Sequence, residues 1–197
     1  MTETYGDRDR DRDLEQDLGQ DGDQGGDQDG DQGRDRGDDG GAAPDPIKIW
    51  FRFVPREGWL PQDTEGLWAV RTGADTARVT NVPFLQDGVA EGDVVRYRTD
   101  GEGLHWATAR AAASGNVTVR VLPVASGPLG RSARAVHERL APFGLGGESF
   151  SAEFPLVALN VPADAPLTEI KALLERGTRD GWWHWETGCT TEAWNAA

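Results

Sequence analysis

Valines alternate with polar residues in the segment Asn116-Val117-Thr118-Val119-Arg120-Val121-Leu122. Because successive side chains of a β-strand point to opposite faces, this pattern predicts a strand whose valines share one face. Thr118 and Arg120 then occupy the other face. The organisation of the chain can be followed outward from this strand in both directions.

The residues after this strand predict a helix, two strands, a second helix and a last strand. Ser132 can cap the first helix and Gly144 can end it. Asp164 is placed to cap the second helix, which should end at Gly177. The three strands fall at 148–152, 156–161 and 182–187. The order β-α-β-β-α-β over 114–197 is that of the ferredoxin-like fold, with both helices on one face of the sheet and the other face bare.

The residues before this strand predict a different architecture. Apolar residues alternate in Ile47-Lys48-Ile49-Trp50-Phe51-Arg52-Phe53. Turn-forming residues then separate four more short strands, at 67–71, 77–81, 94–98 and 104–110. Five closely spaced strands without a helical period favour a small antiparallel β-barrel over 47–113. The folded part is therefore predicted to be α+β, a barrel-like half followed by a ferredoxin-like half.

The N-terminal tail has a different composition from the rest of the 197-residue chain. Residues 1–46 hold 16 Asp/Glu and 5 Arg, a net charge of −11, whereas 47–197 carries a net −3. All aromatic residues except Tyr5 lie beyond this tail. Because the tail has no apolar face to bury, we expect an acidic, Gly/Asp/Arg-rich disordered segment.

Composition and failed motifs exclude several classes of protein. The single cysteine, Cys189, cannot form an intramolecular disulfide or a thiolate metal cluster, and the apolar runs are too short for a membrane helix. The tail lacks the apolar core of a signal peptide, so a cytoplasmic protein is expected. The net charge of −14 disfavours nucleic acid. Zinc-protease, nucleophile-elbow, Walker and dinucleotide motifs are all incomplete, so no metal or cofactor is predicted.

The bare face of the predicted sheet is the candidate binding surface. A sheet with one uncovered face must bury that face, keep it polar or use it to bind a partner. Aromatic residues concentrate in the last strand, and tryptophan is enriched where proteins bind partners. The candidate contact residues are Trp183, Trp185, His184, Arg120, Asn116 and Asp93. The competing interpretation is that these tryptophans pack against the barrel-like half.

One group of residues has the composition of a catalytic site. Alternation places His184 and Glu186 on the same face of the last strand, with Cys189 just past its end. A hydrogen-bonded acid and base beside a thiol could support acid-base or thiol chemistry. A surface pair with a buried structural cysteine is the alternative.

Several separated motifs stand out along the folded part of the chain. They are Leu67-Trp68-Ala69-Val70, Asn81-Val82-Pro83-Phe84, Gly88-Val89-Ala90-Glu91-Gly92-Asp93-Val94-Val95 and Ser114-Gly115-Asn116-Val117-Thr118-Val119-Arg120. Together they resemble one bacterial family, the domain of unknown function 4265. The run Trp183-His184-Trp185-Glu186, with Cys189, is similar to the C-terminal signature of the family. The resemblance spans about 47–190 and implies a bacterial, cytoplasmic protein, but it supplies no catalytic residues.

These observations predict a non-catalytic module that binds an unidentified protein or small molecule. A small enzyme that uses His184, Glu186 and Cys189 is the alternative. A nucleic-acid-related interaction protein is the second alternative, because ferredoxin-like sheets can stack bases. Neither a membrane nor a cofactor is predicted to take part.

Overall fold

The computed structural model describes residues 46–55 and 60–197. Within them the chain forms nine strands and three α-helices. The predicted disordered tail lies outside the described residues, except for Pro46, which is the first residue of β1. The fold is mixed α+β, as the sequence predicts, with one closed barrel and one four-stranded sheet.

The barrel is a five-stranded meander, confirming the barrel-like half. Its strands are β1 (Pro46–Arg52), β2 (Thr64–Arg71), β3 (Thr76–Val79), β4 (Val94–Thr99) and β5 (His105–Ala112). Consecutive strands pair antiparallel, whereas β1 and β5 close the barrel in parallel through Ile49 with His105 and Trp50 with Trp106. This parallel closure follows from the odd number of strands, because the fifth strand of a meander runs in the same direction as the first. Alternate residues fill the interior, including Ile49, Leu67 and Val95.

The second sheet contains β6 (Val117–Pro123), β7 (Gly146–Ser149), β8 (Val157–Val161) and β9 (Trp183–Cys189), in the order β7-β8-β6-β9. All three neighbouring pairs are antiparallel. The helices α1 (Ala133–Leu140) and α2 (Leu167–Arg179) contribute to the same apolar cluster as the valines of β6. Both helices therefore cover one face of the sheet, and Thr118 and Arg120 point to the other.

The ends of the two long helices test the predicted caps. Ser132 caps α1 as predicted, because its hydroxyl accepts a hydrogen bond from the amide of Ala135. The predicted cap Asp164 is wrong, since α2 begins after Pro166 without a side-chain cap. The predicted end at Gly177 is also wrong. Gly177 is a buried residue inside α2, where a Cβ atom would overlap the ring of Trp183.

The last residues form an element that the sequence analysis missed. A short helix, α3 (Glu192–Ala196), follows β9 and is capped by the Thr191 hydroxyl. Its Trp194 is buried in the cluster between the sheet and the helices. The backbone oxygen of Trp194 accepts a hydrogen bond from Lys171 of α2 at 3.1 Å. This contact holds the C-terminal helix against α2.

Candidate functional site

The face of the sheet opposite the helices is covered in part by the loop that joins β3 to β4. The amide of Gly88 in this loop donates to the carbonyl of Gly188 at 2.8 Å. The hydroxyl of Thr118 donates to the carbonyl of Val89 at 3.2 Å. The barrel half thus supplies a lid over the polar side of β6 and β9. The described residues of both halves, 46–55 and 60–197, belong to one compact unit.

Arg120 is buried beneath this loop, with a relative exposure of 1%. Its Nη1 donates to Asp87 at 2.7 Å and to Glu186 at 3.0 Å, and its Nη2 donates to the carbonyl of Gln86 at 2.6 Å. Glu186 lies directly opposite Arg120 in the register of β6 with β9. A buried arginine is normally paired in this way, because its charge cannot reach water.

The space for the guanidinium group depends on a glycine in β9. A Cβ atom at Gly188 would lie 2.6 Å from Nη2 of Arg120. The Nε atom of Arg120 is buried and has no hydrogen-bond partner among the described residues. The guanidinium is thus almost fully buried and is held by protein groups through both Nη atoms, so its main role is to organise the site.

Glu65 holds in place the loop between β3 and β4, which we call the covering loop. Its carboxylate accepts hydrogen bonds from three consecutive amides, those of Phe84 at 2.7 Å, Leu85 at 3.0 Å and Gln86 at 2.7 Å. The carbonyl of Gln86 in turn accepts from Arg120. The sequence analysis did not select Glu65. The sequence did contain a signal for this residue, because Glu65 is the one acidic residue in the five barrel strands and every other charged residue there is basic.

A pocket of about 390 Å³ opens beside Arg120 on this face of the sheet. Arg120, Glu186 and His184 provide its polar surface. The remaining lining is apolar and comes from Leu60, Leu122, Phe154, Leu156 and Trp185. One arginine and one glutamate at the base of an apolar pocket are typical of a small-ligand site, in which few polar groups fix the orientation of the ligand.

Asp93 and Asn116 lie outside this pocket, at the junction of the two halves. The Asp93 carboxylate accepts from the amides of Ala90 at 3.0 Å and Ser114 at 2.7 Å, and from the Ser114 hydroxyl at 2.9 Å. The side-chain amide of Asn116 donates to the carbonyl of Glu91 at 2.9 Å. These contacts correct the assignment of both residues to a binding surface, because their polar atoms already tie the barrel to the sheet.

Trp183 and Trp185 lie on the helix-covered side of β9. The register pairs Trp185 with Val121 and Trp183 with Pro123, so both tryptophans share the face of the β6 valines. Trp183 is fully buried, at 0% exposure, and its indole N–H donates to the carbonyl of Leu174 at 3.0 Å. The assignment of Trp183 to the exposed face is therefore wrong. Trp185 is half-buried, stacks edge-on against Trp194 and borders the pocket.

His184 and Glu186 share the face opposite the helices, as alternation predicts, but Cys189 is not beside them. Three residues of extended strand separate Glu186 from Cys189 by about 10 Å. Cys189 is buried, lies within β9, and contacts Nη1 of Arg110 at 3.5 Å. Burial raises the pKa of the Cys189 thiol, and the nearby Asp93 carboxylate adds to this effect while Arg110 opposes it. The residues proposed for thiol chemistry therefore do not form a cluster.

The state of Cys189 leads to a testable expectation. Since a raised pKa leaves less thiolate at neutral pH, iodoacetamide should modify the native chain at least about tenfold more slowly than the urea-unfolded chain. The rate in the native state should rise only as the pH passes the ordinary range of a cysteine. Intact mass spectrometry reads this reaction directly, because Cys189 is the one cysteine in the sequence. Equal rates in native and unfolded protein would contradict the buried environment.

Residues 65–185 match the family model of the domain of unknown function DUF4265. The chain belongs to this family. The matched range begins in β2 and ends in β9, so it includes Arg120, the covering loop and most of the pocket lining of this DUF4265 protein. A search of curated proteins finds no sequence that matches it.

A solved structure has a similar fold to this DUF4265 chain. It is the crystal structure of a hypothetical protein from Neisseria gonorrhoeae, with a TM-score of 0.57 and 12% sequence identity. The similarity covers 75% of this chain and 95% of that one. At this identity the comparison supports the fold alone.

The polar groups that line the DUF4265 site are the Arg120 guanidinium, the Glu186 carboxylate and the His184 imidazole. Within residues 46–55 and 60–197, no three His, Cys, Asp or Glu side chains are grouped so as to hold a metal ion. None of the described helices combines the length and apolar character needed to cross a membrane.

Proposed function

We propose that this DUF4265 protein is a non-catalytic binding module whose small-molecule ligand occupies the pocket beside Arg120. The observation that carries the proposal is a largely apolar pocket of about 390 Å³ beside the buried Arg120 and its two carboxylate partners, Asp87 and Glu186. This volume falls within the range of about 300–1,000 Å³ that small-molecule sites occupy. The pocket walls come from both halves of the fold, so the site depends on their packing.

The polar groups of the pocket favour a ligand with a hydrogen-bond donor. The Nη atoms of Arg120 donate to Asp87, Glu186 and the carbonyl of Gln86, so a ligand meets the carboxylate of Glu186 before it meets the guanidinium. A carboxylate has about four lone-pair sites and can accept from a ligand while it remains paired. His184 is exposed at the rim of the pocket. We therefore infer a ligand with an apolar body and an amine or hydroxyl group.

We further propose that the sheet half is ferredoxin-like and that the protein is bacterial and cytoplasmic. The element order β-α-β-β-α-β and the antiparallel strand order β7-β8-β6-β9 support the fold assignment. The single cysteine and an excess of arginine over lysine in the sequence support the compartment and the source.

Two probes of matched size test the pocket. Phenethylamine and phenylacetate have the same aromatic body and opposite charges, and each can be titrated into the full chain by ligand-observed NMR. We expect phenethylamine to bind and phenylacetate to bind at least about tenfold more weakly, because Glu186 attracts the ammonium group and repels the carboxylate. Glu186→Gln should remove this preference.

A pocket-filling variant locates the binding. Leu122→Trp places a larger side chain in the pocket and should weaken phenethylamine binding at least about tenfold. Leu104→Trp, at an exposed position of the barrel, is the matched control and should leave binding unchanged. The proposal fails if neither probe binds the full chain, or if Leu122→Trp binds phenethylamine as well as the unmodified protein does.

A further inference from the structure

Three tryptophans lie side by side on the outer surface of the barrel, and none of them lines the pocket. Trp50 of β1 is opposite Trp106 of β5, and their ring centroids are 6.4 Å apart. Trp68 of β2 is opposite Lys48 of β1 and is 52% exposed. Trp50 and Trp106 are half-buried and Trp68 is exposed, so indole surface reaches solvent on three adjacent strands. Such a cluster of apolar surface favours a binding role. We call this surface, formed by Lys48, Trp50, Arg52, Trp68 and Trp106, the tryptophan face.

Cations of the tryptophan face lie over its indole rings. Nζ of Lys48 is 5.2 Å from the ring centroid of Trp50 and 5.4 Å from that of Trp68. Cζ of Arg52 is 4.6 Å from the ring centroid of Trp106. Each indole is thus paired with a positive charge on a long, flexible side chain. In the unbound protein these are cation–π contacts, and the same side chains can turn toward an anion when a planar group takes their place on the ring.

The charges on the barrel strands are almost all positive. Glu65 is the one acidic residue in the five strands, and its carboxylate is engaged with the amides of 84–86. The basic residues of these strands are Lys48, Arg52, Arg71, Arg78, Arg96, Arg98 and Arg110. Arg98 lies opposite Trp106 and extends the positive charge beyond the tryptophan face.

The carboxylate of Asp100 borders the tryptophan face. Asp100 accepts a hydrogen bond from the indole N–H of Trp106 at 2.7 Å and also binds the amides of Glu102 and Leu104. These contacts fix the edge of the Trp106 ring and leave its face for Arg52. The carboxylate therefore orients the ring within a surface whose other charges are cationic.

We propose that the tryptophan face binds single-stranded nucleic acid. Its partly exposed indole rings and long cationic side chains match the two features that sequence-independent single-strand binding uses, which are base stacking and neutralisation of phosphates. Duplex bases are already stacked on one another, so a duplex offers only its phosphates. An acidic peptide would engage the cations and leave the indole rings unused.

The net charge of −14 does not prevent an anionic ligand from binding at the tryptophan face, because only nearby charges act there. Charges separated by more than about 10 Å are largely screened at 0.1 M salt, so the potential at the tryptophan face is set by nearby charges. These include the cations Lys48, Arg52 and Arg98 and the carboxylate of Asp100. Gly66 also contributes to the surface. It lies opposite Trp50, where a Cβ atom would collide with Lys48 and contact the Trp50 ring.

Fluorescence anisotropy with the full chain tests the proposal. The probes are a labelled oligothymidylate of about 15 nucleotides, a duplex of the same length and a labelled polyglutamate of equal charge, at about 50 mM salt. We expect the oligothymidylate to bind at least about tenfold more tightly than polyglutamate or the duplex, and its affinity to fall as salt is added. Binding should also quench tryptophan fluorescence.

Variants separate stacking from charge. Trp68→Ala should weaken oligothymidylate binding at least about fivefold, and Trp68→Phe should recover most of the loss. Lys48→Gln should also weaken binding and reduce its dependence on salt. Arg179→Gln, at an exposed position on α2, is the matched control and should bind as the unmodified chain does.

Three outcomes would overturn the proposal. The first is the absence of oligothymidylate binding at any protein concentration reached. The second is equal affinity for oligothymidylate and polyglutamate, which would indicate an acidic-peptide surface. The third is unchanged binding by Trp68→Ala, which would show that the indole rings take no part.

Discussion

Arg120→Met is expected to lower the free energy of unfolding by about 3 kcal/mol, the lower end of the range for breaking a buried ion pair. Methionine keeps much of the length of the side chain but removes the donors that serve Asp87, Glu186 and the carbonyl of Gln86. Asp87 and Glu186 retain side-chain exposures of 56% and 33%, so water can compensate part of the loss. For this reason we expect the lower end of the range and not the upper.

Ligand binding in the pocket should also be weakened by Arg120→Met. Because Arg120 joins the covering loop to β9, its loss should release residues 86–87 from the sheet and weaken phenethylamine binding in the pocket. Urea unfolding followed by far-ultraviolet circular dichroism gives the stability, and ligand-observed NMR gives the binding.

An exposed arginine provides the control for Arg120. Arg134 pairs with Glu138 one turn away on α1, and both side chains are largely in solvent. Arg134→Met should change the stability by less than about 0.5 kcal/mol, as is usual for an exposed pair at this spacing. If Arg120→Met and Arg134→Met lower the free energy of unfolding equally, the contacts of Arg120 do not hold the covering loop.

Local sequence patterns predicted the elements of this fold well. Alternation in 47–53 placed Ile47, Ile49 and Phe51 on one face, and these residues fill the barrel interior. The valines of β6 likewise form one buried face. These features depend on side-chain period alone, which the sequence displays directly.

Contacts between distant elements could not be predicted in the same way. Alternation divides β9 into two faces, but only its register with β6 determines that the helices cover the face bearing Trp183. The burial of Arg120 depends on a loop more than 30 positions earlier in the chain, and that loop depends on Glu65. The predicted end of α2 was wrong for a related reason. Gly177 marks close packing against Trp183 and not the end of the helix.

Trp183→Ala is expected to destabilise the protein by about 3–5 kcal/mol, which is typical of removing a large aromatic residue from a core. Trp183 has no exposed surface, its ring fills the space left by Gly177, and its indole N–H satisfies the carbonyl of Leu174. Truncation leaves a cavity and removes the hydrogen bond to this carbonyl. Trp183→Phe should recover much of the packing but not the hydrogen bond, and should cost about 1–3 kcal/mol.

Trp68→Ala is the matched control, since it removes the same side chain from a position that is half exposed. Its cost should stay below about 1 kcal/mol, the value of its contact with Lys48 at a surface site. The pair of variants therefore separates the two roles of tryptophan in this chain. Trp183→Ala should lose stability without a specific loss of ligand binding in the remaining folded protein, whereas Trp68→Ala should remain stable and lose oligothymidylate binding. Equal stabilities for the two variants would contradict the placement of Trp183 beneath α2.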